Sequence, residues 1–243
     1  MTMKPLLNIQ QAARFLNVSE MTVRRWTNAG ALRCYRLGTR RARRFSVEDL
    51  MGYLEGRHPP AAPAGVPLGY KGLQAPDGAH LAHLPLDADE ALDFAVAYIG
   101  EGLLNQETVC VVAPEDRTGR LVRRLQRRGL DIAAYQKSGK FFFSSGMDTP
   151  VRQARYLADV AGQSGQRLRG FGDMTWAKEK GWGAQELRDL EDFVNAAPSP
   201  AAGSLFLCQY ALDGFSGKET LMAMETHSHC IYRGSLNQSP YHT

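Results

Sequence analysis

The sequence predicts an α/β protein in two parts, a small basic domain followed by a larger three-layer domain with a mainly parallel sheet. Three observations predict this. Positive charge is concentrated at one end, since residues 1–58 carry eleven Lys/Arg against four Asp/Glu and the remainder carries eighteen against twenty-one. A Pro/Gly-rich stretch at residues 58–78, with Pro59, Pro60, Pro63, Pro67 and Pro76, cannot continue a helix or a central strand and reads as an extended linker. Beyond it, short apolar runs alternate with amphipathic helical patterns, as repeated βα units do. The expected divisions are a first domain at 1–57, a linker at 58–78 and a second domain at 79–243.

An apolar content of 44% and a charged content of 22% are ordinary for a globular chain. No apolar run approaches the roughly 20 residues that span a bilayer, and the first residues lack the pattern of a signal peptide. Cys34, Cys110, Cys208 and Cys230 are far apart and form no CxxC pair. They read as reduced thiols of a cytoplasmic protein, with no membrane partner expected.

In the first domain Asn8 and Gln11 form a capping-box pair, and Ile9, Ala12, Ala13 and Leu16 fall on one helical face. The chain turns at Asn17-Val18. Ser19 caps a second helix that stops at Gly30, with Val23 and Trp26 toward the core. Thr22, Arg24, Arg25 and Asn28 are left on its outer side. A short helix pair with a polar, arginine-bearing second member fits a helix-turn-helix, in which Arg reads guanine edges and Asn reads adenine. Two short strands then flank the turn Gly38-Thr39-Arg40-Arg41, with Leu37 and Phe45 directed inward. The stretch "RLGTRRARRF" holds five arginines in ten residues. Arg40 and Arg41 are placed beside phosphates, while Arg43 and Arg44 divide between backbone contact and packing. Ser46 caps a last helix with Val47, Leu50, Met51 and Leu54 on one face.

The run "SEMTVRRWTNAGALRCYRLGTRRARRFSVEDLMGYL" resembles the excisionase-type DNA-binding module of the MerR-like winged-helix group, over about residues 6–55. The resemblance implies DNA contact by Thr22, Arg24 and Arg25 from the recognition helix and by Arg40 and Arg41 from the wing. Ser19, Asn28, Arg43 and Arg44 complete the expected DNA-binding set.

In the second domain "AHLAHLPL", "TVCVVA" (108–113), "KFFFSS", "LRGFG" (168–172), "SLFLCQY" (204–210) and "CIYRG" (230–234) read as strands. Helices are expected from Asp87, from Glu115 to Arg128, from Thr149-Pro150, around 184–196 and near 217–226. Neither GxxxxGK[ST], GxGxxG nor GxSxG occurs.

"GFGDMTWA", "LFLCQYALDGFSGKETL", "ETHSHCIYRG" and "NQSPYHT" resemble the MEDS sensory domain, named for regulators of methanogens and methylotrophs, over about residues 79–242. The resemblance implies a degenerate RecA/KaiC-like fold. The segment "DADEA" then stands where a P-loop would be, and its carboxylates repel a triphosphate.

Ligands of parallel sheets usually sit at the carboxyl ends of the strands. That places His80, His83, Asp173, Trp176, Gln209 and Tyr210 near one rim, with His227 reaching the same edge. Core packing of Trp176 and helix capping by Asp173 stand beside that reading. His80-x-x-His83 and His227-x-His229-Cys230 offer soft-metal ligands without the spacing of a known finger, and Cys110 and Cys208 lie in apolar strands where thiols are normally inert. The sequence identifies no cofactor.

The expected function is a ligand-responsive transcription regulator. It binds double-stranded operator DNA and senses a small-molecule effector, and it is expected to form a homodimer or higher homo-oligomer because one small reading head covers little DNA. A DNA-tethered enzyme using Asp173 and a histidine, and a metal- or redox-sensing regulator, remain open alternatives.

Overall fold

The Asn8 carboxamide accepts from the Gln11 amide while the Gln11 side chain accepts from the Asn8 amide, and this capping box starts α1 (Ile9–Leu16). The computed structural model describes residues 6–28, 32–37, 42–55, 65–197 and 203–242. These fall into two units, divided between Ala64 and Gly65. In the first, Asn17 closes α1 in the left-handed region (φ 55°) and turns the chain into α2 (Glu20–Asn28). Ser19 caps α2, accepting from the Thr22 amide and sharing a hydrogen bond with its hydroxyl. Strands β1 (Tyr35–Leu37) and β2 (Ala42–Arg44) pair antiparallel, with Tyr35 opposite Arg44. Phe45 bridges back to Leu7, and Ser46 caps α3 (Val47–Leu54).

Ala12, Ala13, Leu16, Val23, Leu32, Phe45 and Leu50 form the core of this unit, and Trp26 leans on Tyr53 at 4.9 Å. On α3 the expected apolar face is only partly used. Leu50 is buried, but Val47, Met51 and Leu54 are 41–58% exposed.

The second unit begins earlier than the sequence suggested. Strands β3 (Val66–Pro67) and β4 (Gln74–Ala75) form a hairpin whose Val66, Leu68 and Ala75 are buried in the core. The stretch read as linker is therefore structured from Gly65 onward. Its anchor is Arg169, fully buried, which donates to the Pro67 carbonyl at 3.1 and 3.2 Å. Pro67 lacks an amide proton but still offers its carbonyl, so a short edge strand tolerates it.

The remaining elements run β5 (His80–His83), α4 (Ala88–Leu104), β6 (Thr108–Val112), α5 (Glu115–Arg127), α6 (Ile132–Lys137), β7 (Phe141–Ser144), α7 (Pro150–Gln163), β8 (Leu168–Asp173), α8 (Thr175–Glu179), α9 (Ala184–Ala196), β9 (Ser204–Gln209), α10 (Gly217–Thr226), β10 (His229–Tyr232) and β11 (Ser235–Gln238). The strands form one seven-stranded sheet in the order β11-β10-β5-β9-β8-β6-β7, parallel except for the β10–β11 hairpin. Helices α4, α5 and α6 pack on one face with Leu81, Val109, Phe171 and Leu207. Helices α7, α8, α9 and α10 cover the other with Ala82, Cys110, Leu168 and Tyr210. Strand residues alternate between these faces, so the side-chain period of two decides which layer each functional residue enters. No helix among the described residues is long and apolar enough to cross a membrane.

Candidate functional site

In the first unit α2 leaves Arg24 and Arg25 exposed to solvent, while Val23 packs in the core of the unit and Trp26 against it. The Ser19 and Thr22 hydroxyls are engaged with each other, so they fix the start of this helix. Arg43 and Arg44 are half-buried on β2, and the Arg44 guanidinium donates to the Arg43 carbonyl. Arg40, Arg41 and the side chain of Asn28 lie outside the described residues, as does the inward direction expected of Leu37.

In the second unit the seven residues expected at one rim separate into two groups. His80 and His83 are three apart on β5, an odd interval in a strand, and so they enter opposite layers. His83 lies against Phe94 of α4 and accepts at Nδ1 from the Gln209 carboxamide at 3.0 Å. Gln209 also donates to the Ala91 carbonyl. Burial pushes His83 down to about 3, so its imidazole is neutral. Asp173, opposite Gln209 in register, accepts from Arg117 at 3.0 Å and from the Thr175 amide and hydroxyl. Asp173 and Gln209 line a cleft of about 260 Å³ between α4 and α5, together with Arg117 and Arg120.

The other group sits in the α7–α9 layer, and it does not share that rim. His80 opens β5 and His227 precedes β10, at the amino-terminal ends of parallel strands. Their rings are 4.1 Å apart. Both converge on Glu191 of α9, which is fully buried; His80 Nε2 lies 3.2 Å and His227 Nε2 3.6 Å from Glu191 Oε2. The Tyr210 hydroxyl donates to Glu191 Oε1 at 2.5 Å. Cys208 Sγ is 3.5 Å from His80 Nε2 and 3.6 Å from Glu191 Oε2. Burial and the Glu191 charge hold the Cys208 thiol and the Tyr210 hydroxyl well above their ordinary ranges. Burial pushes His227 down to about 3.

The ligand-type atoms of His80, Glu191, Cys208 and His227 lie within 4.8 Å of one another. His83, His229 and Cys230, considered as metal ligands from the sequence, do not join this group among the described residues; His83 faces α4, and His229 Nδ1 is bonded to Ser228. Glu191 was missed, although a signal for it exists. Leu187, Leu190, Glu191 and Val194 stand at i, i+3, i+4 and i+7, so a carboxylate occupies an apolar-stripe position of α9.

Beside this group, a cavity of about 410 Å³ opens between α7 and α9, walled by Leu157, Ala161, Leu168, Phe193, Val194 and Phe206. His80, Asn195 and Ser204 give it a polar end. A smaller hole of about 30 Å³ lies against His80, Glu191 and Cys208. Trp176 borders that hole but belongs to the core, edge-on to Trp182 at 4.8 Å and pressed against Gly146, where a Cβ would come within 2.0 Å of its ring.

A family profile described as the methanogen/methylotroph, DcmR sensory domain (MEDS) matches residues 79–228, and a helix-turn-helix domain profile matches residues 6–58. The chain belongs to the MEDS family. A full-length MEDS relative, the transcriptional repressor DcmR of Methylorubrum extorquens, is 30% identical over 91% of this chain and 89% of its own length. The chain is thus a transcription regulator with a helix-turn-helix domain and a MEDS sensory domain. The fold of the MEDS domain is shared with a KaiC-like protein of Pyrococcus horikoshii (TM-score 0.52, 18% identity, 69% of this chain and 80% of that one). It is shared equally with the flagellar accessory protein FlaH of Methanocaldococcus jannaschii (TM-score 0.52, 11% identity, 68% and 77%).

Proposed function

We propose that this protein is a cytoplasmic, ligand-responsive repressor. Helix α2 reads operator DNA with Arg24 and Arg25, the β1–β2 wing supports it on the phosphate backbone, and the MEDS domain binds a small effector. The observation that carries the sensing part is the 410 Å³ cavity, whose walls are apolar except at the end formed by His80, Asn195 and Ser204. Such a site suits a small molecule with an apolar body and one polar group.

The start of α4 disfavours the enzymatic alternative. In a nucleotide-binding sheet the first helix offers free amides to phosphate. Here the Glu90 amide donates to Asp87 and the Leu86 amide donates to Glu90, and Asp89 adds a further negative charge. A triphosphate there would meet carboxylates and occupied donors. Self-association is part of the proposal, because a dimer doubles the DNA surface read by one α2.

The test replaces Ala161 by Phe, which fills the cavity wall. Native mass spectrometry of the full chain should detect a small molecule retained by the wild type and lost from the variant, with DNA binding preserved. Equal retention by both would place the effector elsewhere.

A further inference from the structure

We propose that His80, Glu191, Cys208 and His227 form a binding site for one divalent transition-metal ion, of which zinc is the natural occupant. The argument starts from the protons. Asn195 donates from Nδ2 to the Thr226 carbonyl, so its Oδ1 must accept, and His80 Nδ1 donates to it at 2.9 Å. His227 Nδ1 donates to the Ala223 carbonyl at 2.7 Å. In both rings Nδ1 is therefore the donor to a neighbouring oxygen, and Nε2 is directed at Glu191, where it can serve as a metal ligand.

The Glu191 carboxylate has only lone pairs to return, and its other oxygen is already served by Tyr210. The thiol of Cys208 is shared between two acceptors, His80 Nε2 and Glu191 Oε2. His227 Nε2, fully buried, has no hydrogen-bond partner among the described residues. A buried acceptor left in that state costs free energy, and a cation at the centre would satisfy every lone pair at once.

The spacing agrees with that cation. Zinc at about 2.0–2.3 Å from nitrogen, oxygen and sulfur in a tetrahedron sets ligand atoms about 3.3–3.6 Å apart. Four of the six separations are 3.2 Å (His80–Glu191), 3.5 Å (His80–Cys208), 3.6 Å (Cys208–Glu191) and 3.6 Å (His227–Glu191), and all six lie within 4.8 Å. Two imidazoles with one thiolate favour zinc and similar borderline ions over magnesium or calcium. With Cys208 bound as thiolate, its charge and that of Glu191 cancel the ion, so the buried site is neutral overall. Asn195 and the Ala223 carbonyl are the outer partners that fix ring orientation, as metal-bound histidines require. His80 also lines the 410 Å³ cavity, which gives the ion a way in.

The ion would tie α9 to β5, β9 and the chain entering β10. The site borders the effector cavity through His80 and Asn195, but its test needs neither DNA nor effector. Full-length protein is stripped with a chelator, refilled with Zn²⁺ and then with Co²⁺, and compared with Cys208→Ser, Glu191→Gln, Asn195→Ala and a Cys34→Ser control. One ion per chain is expected for wild type and the control, with a thiolate-to-cobalt charge-transfer band that Cys208→Ser abolishes. Asn195→Ala should weaken Zn²⁺ binding about 10–100-fold while keeping the band at saturation. Near-UV circular dichroism checks that each variant is folded, and Glu191→Gln, which keeps the volume and the Tyr210 contact, decides if Cys208→Ser does not fold. Wild type that retains no more Zn²⁺ than folded Cys208→Ser or Glu191→Gln, or a cobalt band that survives Cys208→Ser, overturns the proposal.

Discussion

Replacing Glu107 by Ala isolates the buried charge on which the β3–β4 hairpin depends. Arg169 is 0% exposed, and its guanidinium makes two hydrogen bonds to Glu107, two to the Pro67 carbonyl and one to the Tyr98 carbonyl. It also lies over the Tyr98 ring at 4.7 Å. Glu107→Ala leaves the carbonyl contacts but removes the only carboxylate in direct contact with this guanidinium among the described residues. Breaking such a pair by deleting one partner costs about 3–5 kcal/mol, because the remaining charge stays desolvated. For a unit of this size each kcal/mol lowers Tm by about 2–4 °C, so a drop of roughly 6–20 °C is expected. The assay is thermal unfolding followed by near-UV circular dichroism, with hydrogen exchange at residues 66–75 as a local readout. Glu107→Leu combined with Arg169→Met should lose less than Glu107→Ala alone. A Tm change below about 2 °C for Glu107→Ala, or a double variant worse than the single one, would refute the reasoning.

Other expectations follow from the same geometry. Arg25→Ala should cost about 1–3 kcal/mol at the preferred DNA site and relax sequence discrimination, measured by fluorescence anisotropy over a set of single-base variants. Arg44→Ala should instead weaken binding evenly across sequences and make the salt dependence shallower by about one unit. His83 binds its proton near 6.5 when unfolded but near 3 when folded. Stability should therefore be intact above about pH 6.5 and fall by up to about 1.4 kcal/mol per pH unit below it, down to about pH 3. His83→Gln, which still offers an acceptor to Gln209, should flatten that slope in urea titrations taken at successive pH values.

Much of the architecture was legible because local signals agreed with one another. Asn8 with Gln11, Ser19, Ser46 and Asp87 mark helix starts where the structure has them, and buried runs such as Thr108–Val112 give the central strands. The hairpin at 66–75 was not legible, since its prolines argue for a linker and its anchor, Arg169, lies about a hundred residues away. The candidate site was half legible. His80, His227 and Tyr210 were singled out for their chemistry, but the pairing of His80 with His83 ignored the period of the strand they share. Reading that interval as odd would have separated them. Glu191 and Cys208 complete the group through contacts between α9 and β9 that no local pattern specifies, although a carboxylate inside an apolar stripe was a visible anomaly.

The account rests on coupling between the MEDS domain and DNA binding by α2. The most direct measurement is the affinity of the full chain for a DNA site selected from random sequence, compared between protein carrying its co-purified small molecule and protein freed of it. A ligand that favours one conformation or assembly should change that affinity about 5–150-fold. Equal affinity in both forms, at matched salt and protein concentration, would contradict the account.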